Sequence, residues 1–196
     1  ALLVLLINAQ VTVTWSSSLA LAPAPSCKSI ECPAYDIIEQ GEGYEIRRYN
    51  HTLWMSTSPI PNISFVNATR TGFLRLFDYI QGKNDEHAKV PMTAPVLTDI
   101  LPSTGPFCES SFAVSFYVPT KFEKAPPKAE ESLALEQKRW DVRYAAVRRF
   151  GGFVSDYNVG EEASKLQVSL SGSPWEPSLS LYSVAQYNSP FEYDGR

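Results

Sequence analysis

The chain contains few cysteines and histidines, the residues that most often bind zinc. Its 196 residues include three cysteines and two histidines. The spacing of Cys27, Cys32 and Cys108 matches no zinc-binding pattern, and two histidines are too few to complete one. His51 and His87 each lie in polar sequence with no cysteine or serine motif beside them. The composition therefore argues against a metal centre and against histidine-based catalysis.

Motifs of the common enzyme classes are missing as well. The sequence has no nucleophile elbow, no glycine-rich phosphate loop and no metal-binding helix motif. Glu161 and Glu162 begin a predicted helix, where the helix dipole favours negative charge. Glu130 and Glu131 lie in a polar linker, where they are best explained as solvated charges. We therefore expect a protein that is not an enzyme.

The sequence also lacks a run of basic residues, and its formal net charge is −4. Neither nucleic acid nor an anionic membrane would attract such a surface. The apolar and charged fractions, 44% and 19%, are ordinary for a globular protein. The length suits one domain, or two fused half-domains that share a core.

An apolar run at residues 1–9 is too short to span a membrane, because a span needs about 18–20 continuous apolar residues. Asn8 and Gln10 interrupt it, and small and proline-rich sequence follows at residues 18–26. This pattern is typical of a secretory signal peptide; an apolar first strand is the less favoured alternative. We therefore predict a leader over residues 1–26, a folded domain over residues 27–196, and a secreted or endomembrane location, extracellular or vacuolar.

Three N-x-S/T sequons agree with this location. Asn50 and Asn62 lie in predicted turns, where an N-linked glycan would fit, so both are predicted glycosylation sites. Asn67 lies in the first turn of a predicted helix and is the poorest candidate. The three cysteines allow one disulfide and leave one thiol over.

Short apolar and β-branched runs predict a mostly β framework. Two strands, at residues 44–49 and 53–58, are expected to form a hairpin around Asn50 and His51. Further strands are predicted at residues 96–101, 111–118, 140–150 and 178–187. Residues 121–137 are rich in Lys, Glu, Ala and Pro and predict a solvated linker.

Two segments have helical periodicity. The first helix is predicted to begin at an N-cap, Ser64, and to end before Gly82. The second is predicted to begin with a capping box of Asn158 and Glu161 and to end at Gly172. The predicted apolar faces are Val66, Phe73, Leu76, Phe77 and Ile80 on the first helix, and Val159, Ala163, Leu166 and Leu170 on the second.

Residues 72–96, GFLRLFDYIQGKNDEHAKVPMTAPV, resemble the signature region of the SOUL family, a haem-binding-protein family of small tetrapyrrole carriers. The likeness lies in DYIQGKN at 78–84 and MTAPV at 92–96. It extends to YEIRRY at 44–49 and YNSP at 187–190. These pieces occur in the family's order and spacing, and the resemblance covers roughly residues 32–196.

The resemblance implies an α+β fold, a distorted antiparallel β-barrel of two pseudo-symmetric halves with two flanking helices. It also implies reversible binding of haem or a related tetrapyrrole in an apolar cleft beside the first helix. Arg70, Phe73 and Phe77 match family positions in that cleft, a cation for a carboxylate and two large apolar residues for a ring face. Packing of both rings in the core is the alternative.

Other positions depart from the family. Arg48 occupies the place of a histidine proposed as an axial ligand in some members, and arginine cannot ligate iron. No axial ligand is therefore assigned, and Met92 is interpreted as a packing residue. Asp78 and Glu192 replace two lysines beside the cleft and would repel haem propionates.

The resemblance also helps to interpret the cysteines. Intracellular family members usually have residues other than cysteine at the positions of Cys32 and Cys108. The resemblance therefore favours a Cys32–Cys108 disulfide in an oxidising compartment. A Cys27–Cys32 bond and three independent thiols are the alternatives.

The function predicted from these observations is non-catalytic tetrapyrrole binding by a monomer that has no membrane span after cleavage of the leader. An interaction module that has kept the fold and lost the ligand is the main alternative. A hydrolase on the same two-half fold is a third hypothesis, for which the sequence offers no clear carboxylate in the cleft.

Overall fold

The computed structural model describes residues 2–7, 25–101, 110–176 and 182–187. For residues 2–7 it describes the backbone only. Short 3-10 turns precede β2 and occur twice between β6 and β7. In chain order the strands and helices are β1 (Leu2–Ile7), β2 (Tyr35–Gly41), β3 (Tyr44–Thr57), β4 (Ile60–Asn62), α1 (Phe65–Ile80), β5 (Val96–Leu101), β6 (Ser110–Tyr117), β7 (Leu135–Arg149), α2 (Asn158–Leu170) and β8 (Tyr182–Gln186).

The eight strands form one antiparallel sheet in the order β2-β3-β7-β1-β8-β5-β6-β4. β3 pairs with β2 in its first half and with β6 in its second half, while β7 runs along its other edge. The additional β3–β6 pairing, with Trp54 opposite Tyr117, curls the sheet into a distorted barrel. The predicted α+β barrel with two helices is confirmed.

β3 is continuous through Asn50 and His51, so the hairpin predicted there is wrong. Its register with β7 is unbroken, from Asn50 opposite Val142 to Thr52 opposite Trp140. His51 takes a left-handed backbone, with φ of 46°, but the chain does not turn there, because pairing with β7 continues on both sides of it. The first hairpin instead joins β2 to β3, where Gly43 has φ of 82°.

α1 begins where the sequence predicts it. The Ser64 side chain accepts a hydrogen bond from Asn67 N at 3.2 Å, and Gly82 follows the helix with φ of 116°. Gly72 lets α1 approach β6 closely, because a Cβ at this position would lie 2.6 Å from the Cβ of Val114. The buried face consists of Phe65, Ala68, Gly72, Phe73, Leu76, Tyr79 and Ile80.

The predicted apolar face of α1 is wrong at two positions. Val66 is 43% exposed and Phe77 is 37% exposed. They lie at the edge of the helical arc that faces the sheet, where 3.6-residue periodicity does not determine which side is covered.

The capping box at the start of α2 lies three residues earlier in the chain than predicted. Ser155 N donates to Asn158 Oδ1 at 2.9 Å, and Asn158 N donates to Ser155 Oγ at 3.3 Å. Asn158 is therefore the second member of the box, and Glu161 has no part in it. The predicted apolar face does pack inward, with Val159, Leu166 and Leu170 buried and Ala163 packed against them.

The segment predicted as a linker is shorter and more ordered than expected. β7 begins at Leu135, so strand structure replaces the last part of residues 121–137. Pro127 and Leu133 are buried, and the Tyr79 hydroxyl donates to Pro127 O at 2.8 Å. This segment therefore packs against the C-terminal half of α1.

The apolar run at the N-terminus forms β1, which pairs with β7 and with β8. The predicted signal peptide concerns processing of the chain and stays a prediction. Among the described residues, neither helix has the length and apolar composition that a membrane-spanning helix requires.

The disulfide joins Cys27 to Cys32, so the predicted Cys32–Cys108 pairing is wrong. The 3-10 turn Pro25–Lys28 folds the chain back and brings the two Cα atoms to 5.6 Å, a distance that a disulfide can bridge. Cys108 lies outside the described residues.

Three apolar clusters fill the fold. One lies beneath α2 and the first turn of α1, and a second lies beneath the rest of α1. The third contains no helix residue and lies inside the barrel. Its buried members are Tyr49, Trp54, Leu97, Trp140, Ala145, Val147 and Ala185.

Candidate functional site

The outward side of α1 combines exposed apolar side chains with one cation. Val66, Leu74 and Phe77 are 43%, 47% and 37% exposed, and Arg70 is exposed among them. Their spacing of three to four residues places them in one stripe along the helix. Within the described part of the chain Arg70 has no ion-pair partner. We call these four residues the α1 outer face.

The two phenylalanines predicted to line a ligand slot have different positions. Their rings stack with centroids 5.8 Å apart and planes 16° from parallel. Phe73 is 4% exposed and meets the ring of Phe116 edge-on at 5.3 Å, so it packs in the core. The structure therefore brings Arg70 and Phe77 together at the surface and places Phe73 beneath Phe77 as its support.

The charges near the end of α1 are more balanced than the sequence suggests. Asp78 Oδ2 lies 2.6 Å from Lys83 Nζ, and both side chains are about half exposed. Hydrogen bonding to Asp78 raises the pKa of Lys83. The repulsion of propionates predicted for Asp78 is therefore offset by a neighbouring cation. Glu192 lies outside the described residues.

Neither histidine belongs to the α1 outer face. His51 is an exposed residue of β3, and His87 is an exposed residue of the loop that follows α1. Arg48 pairs with Asp36 at 2.8 Å. Met92 packs against the cluster beneath α1. Among the described residues no group of three or more histidine, cysteine or carboxylate side chains could hold a metal ion.

A cavity of about 320 Å³ opens beside β3 and the start of β7. Neither Arg70, Phe73 nor Phe77 lines it. Its lining includes two acidic residues, Glu130 and Glu131, and one basic residue, Lys128, so its charge does not favour an anionic ligand. Its remaining lining residues are Met55, Ala129, Ala134, Leu135 and Gln137.

The position of α1 depends on Asp156, a residue that sequence reasoning missed. Its carboxylate accepts hydrogen bonds from Ser64 Oγ at 2.8 Å and from Val66 N at 3.2 Å. Asp156 lies some 90 residues further along the chain, so no local motif could reveal this cap.

Inside the barrel lies a buried ion pair that the sequence analysis did not predict. Arg47 is 1% exposed, and its Nε donates to Glu45 Oε2 at 2.8 Å. The guanidinium carbon lies 4.1 Å from the centre of the Tyr35 ring. Burial raises the pKa of Tyr49 and of Tyr187, although the Arg47 charge opposes the shift, so both phenols are protonated at neutral pH.

Comparison with known proteins supplies a family. The family model described as SOUL heme-binding protein matches residues 30–196. The chain is 33% identical to "Heme-binding protein 2" of Mus musculus over 178 residues, which cover 89% of this chain and 86% of that protein. It is 35% identical to "Heme-binding protein 2" of Homo sapiens over 169 residues, 84% of this chain and 82% of that protein. "Heme-binding protein 1" of Mus musculus is 27% identical over 130 residues, 66% of this chain and 67% of that protein.

Proposed function

The chain belongs to the SOUL heme-binding protein family, and we propose that it binds haem or a related tetrapyrrole without catalysis. The observation that carries this proposal is the α1 outer face. There an apolar surface and an accessible guanidinium lie side by side on one rigid helix.

A tetrapyrrole is a flat apolar disc with carboxylates at its rim, so its site needs an apolar surface and a nearby cation. Phe77 supplies a ring that is held in place by Phe73 beneath it. Leu74 extends the apolar area, and Arg70 lies one helical turn before Leu74. Lys83 adds a second cation near the end of the helix, shared with Asp78.

The proposed binding is reversible and uses no axial ligand. Neither histidine belongs to the α1 outer face, so contact with the porphyrin plane supplies most of the affinity. An iron-free porphyrin should then bind about as well as haem. One chain suffices for the site because Arg70, Leu74 and Phe77 belong to a single helix, and we propose a monomer.

Visible-absorption titration with hemin and with protoporphyrin tests the proposal. We expect both ligands to saturate at one per chain with similar affinities. Tight binding of hemin alone, with the spectrum of a histidine-ligated iron, would show that the site is elsewhere. Failure of both ligands to bind would favour a protein-interaction role, for which the exposed apolar stripe of α1 would be the contact surface.

We further propose that the chain enters the secretory pathway, loses its first residues and with them β1, the strand between β7 and β8, and carries N-linked sugar on Asn50 or Asn62. The apolar run at residues 1–9 and the sequons support this. Asn50 is exposed; Asn62 is half-buried, and its Oδ1 accepts a hydrogen bond from Ser64 N at 2.9 Å. Mass spectrometry of native protein should find a first residue between positions 21 and 27 and a glycan. An intact leader with unmodified asparagines would contradict the proposal.

A further inference from the structure

Five tyrosine and tryptophan rings form a continuous series through the barrel. Tyr35 contacts Tyr49 with ring centroids 5.5 Å apart, and Tyr49 contacts Trp140 at 5.8 Å. Trp140 contacts Trp54 at 5.0 Å, and Trp54 contacts Tyr117 at 5.7 Å. The three middle rings are at most 5% exposed, whereas the two terminal tyrosines are half-buried. We call these residues the interior ring series.

The series contains only rings that lose an electron readily. The ring pairs beneath α1, by contrast, join phenylalanines: Phe65 with Phe112, and Phe73 with Phe77 and Phe116. Phenylalanine is far harder to oxidise than tyrosine or tryptophan. The ring pairs inside the barrel therefore differ in redox chemistry from those beneath α1, whereas the cluster beneath α2 contains one further oxidisable pair, Tyr144 and Trp175.

Hydrogen bonding does not explain why the central residue of the series, Trp140, is a tryptophan. Trp54 Nε1 donates to Thr52 Oγ1 at 3.1 Å, but Trp140 Nε1 is buried and has no hydrogen-bond partner among the described residues. An unsatisfied buried donor costs stability, and a phenylalanine at this position would avoid the cost. The centre of the indole ring lies 5.5 Å from the guanidinium carbon of Arg143, and the indole is also far easier to oxidise than a phenyl ring.

We propose that the interior ring series relays one-electron oxidation across the barrel from Tyr35 to Tyr117. A one-electron oxidant that reaches the surface beside Tyr35, such as a diffusing radical, takes an electron from Tyr35, whose phenol proton passes to water. Electrons then move stepwise from Tyr117 towards Tyr35, which regains a proton. Tyr117 loses its phenol proton to water and remains as a neutral radical, until a reductant in solution, such as ascorbate or a thiol, restores it with one electron and one proton.

The fixed charges favour this direction. The Arg47 guanidinium lies over Tyr35 and opposes positive charge on that ring, although its ion pair with Glu45 reduces the effect. Near Tyr117 the charges are negative. Burial raises the pKa of this tyrosine, a hydrogen bond with Thr120 opposes the shift, and the carboxylates of Glu31 and Glu123 add to it. Glu31 is held there by Thr120, whose backbone N donates to Oε1 at 2.8 Å. The carboxylates therefore ease withdrawal of an electron from the Tyr117 ring, whose proton then leaves to water.

The test uses an attached photo-oxidant, so it does not depend on tetrapyrrole binding. Asn50 is exposed, and its side chain lies 3.4 Å from Asp36, the neighbour of Tyr35. A ruthenium polypyridyl complex is attached to the Asn50→Cys variant of full-length protein in a Cys108→Ser background. After flash oxidation in dilute solution, a radical trap and peptide mass spectrometry measure oxidation at Tyr117. Tyr157, which is 94% exposed and outside the series, reports oxidation through solvent.

We expect Tyr117 to be oxidised several-fold more than Tyr157, and Trp140→Phe to remove most of this excess. Trp175→Phe is the matched control, because Trp175 is equally buried but contacts Tyr144 outside the series. Tyr49→Phe interrupts the series at another ring and replaces Trp140→Phe if that variant does not fold. Oxidation of Tyr117 that equals that of Tyr157, or that survives the interrupting substitution, would overturn the proposal.

Discussion

Asp156 caps a helix that lies some 90 residues before it. Its two carboxylate oxygens accept hydrogen bonds from the Ser64 hydroxyl and from the first turn of α1, at Val66 N. Ser64 in turn accepts from Asn67 N, so a local cap and a distant cap act on the same helix end. The segment between β7 and α2 thereby holds the helix that carries the α1 outer face.

Removal of the distant cap should destabilise the protein without abolishing the fold. We expect Asp156→Ala to lower the free energy of unfolding by about 0.5–2 kcal/mol, the usual cost of losing a helix N-cap. Urea denaturation followed by circular dichroism measures the change. Asp141→Ala is the control, because Asp141 is also exposed but lies within β7. Equal stability of the two variants would show that Asp156 does not act as a cap.

Two glycine-to-alanine substitutions in helices should have opposite effects. At Gly72 a Cβ would collide with the Val114 side chain, so Gly72→Ala should destabilise the protein by roughly 1–3 kcal/mol through overpacking. At Gly160, in α2, a Cβ would meet no atom within 4 Å. Gly160→Ala should therefore raise stability by about 0.4–1 kcal/mol. Thermal or urea unfolding of both variants checks the pair, and a harmless Gly72→Ala would disprove the close approach of α1 to β6.

Hemin affinity should depend on the surface residues of α1. Phe77→Ala should weaken binding at least several-fold, since a buried ring contributes roughly 1.5–3 kcal/mol, and Arg70→Gln should weaken it by removing the partner of a carboxylate. Val168→Ala is the matched control, an exposed apolar residue of α2. His51→Ala and His87→Ala should change little.

The proposed site would be contradicted if a histidine variant lost hemin binding while the Phe77→Ala variant still bound hemin as the parent does. Phe73→Ala cannot serve as a test, because truncation of a buried phenylalanine costs about 3–5 kcal/mol of stability. Each variant is first checked for native circular dichroism.

The observed disulfide predicts which cysteine has a free thiol. With Cys27 bonded to Cys32, denatured but unreduced protein should contain one thiol, and peptide mapping should assign it to Cys108. A label on Cys27 instead would support a Cys32–Cys108 bond. Reduction should cost roughly 2 kcal/mol of stability or less, because the closed loop is short.

Glu162 should contribute to acid sensitivity. A hydrogen bond from Lys165, and a further one from Arg148, lower its pKa below the ordinary value of 4.5, although burial opposes the shift. A carboxyl with a lowered folded-state pKa stabilises the fold above its unfolded pKa, and this stabilisation is lost as pH falls through the folded pKa.

The parent should therefore lose more stability than Glu162→Gln between about pH 5 and pH 3. Glu161→Gln is the control, because Glu161 pairs with the same Lys165 but is 66% exposed. Urea titrations at each pH measure the difference. Identical pH profiles for the parent and Glu162→Gln would contradict the prediction.

Local signals in the sequence were sufficient for the helices and most strands. The Ser64 side chain caps the start of α1. Gly82 and Gly172 follow the ends of α1 and α2 with positive φ. The strand predicted at residues 96–101 matches β5. These features depend on neighbours within a few residues, which is why the sequence reveals them.

Features that depend on distant residues were missed or misplaced. Asn50 and His51 resemble a turn locally, but pairing with β7 keeps the strand straight through them. Phe73 and Phe77 share one helical period, yet only the position of β6 determines that Phe73 is covered and Phe77 is not. The cap from Asp156 and the Arg47–Glu45 pair likewise exist only once the chain has folded.

The central position of β3 also sets an order of events during synthesis. Residues 45–57 pair with residues 135–147 along one edge, and contacts so far apart in sequence form slowly. A chain that emerges from the ribosome amino end first completes β3 and α1 long before β7 exists. For that interval the edge of β3 that faces β7 has no partner, and an unpaired apolar strand is prone to aggregate. We therefore expect the nascent first half to be the stage at which this chain is most prone to aggregate.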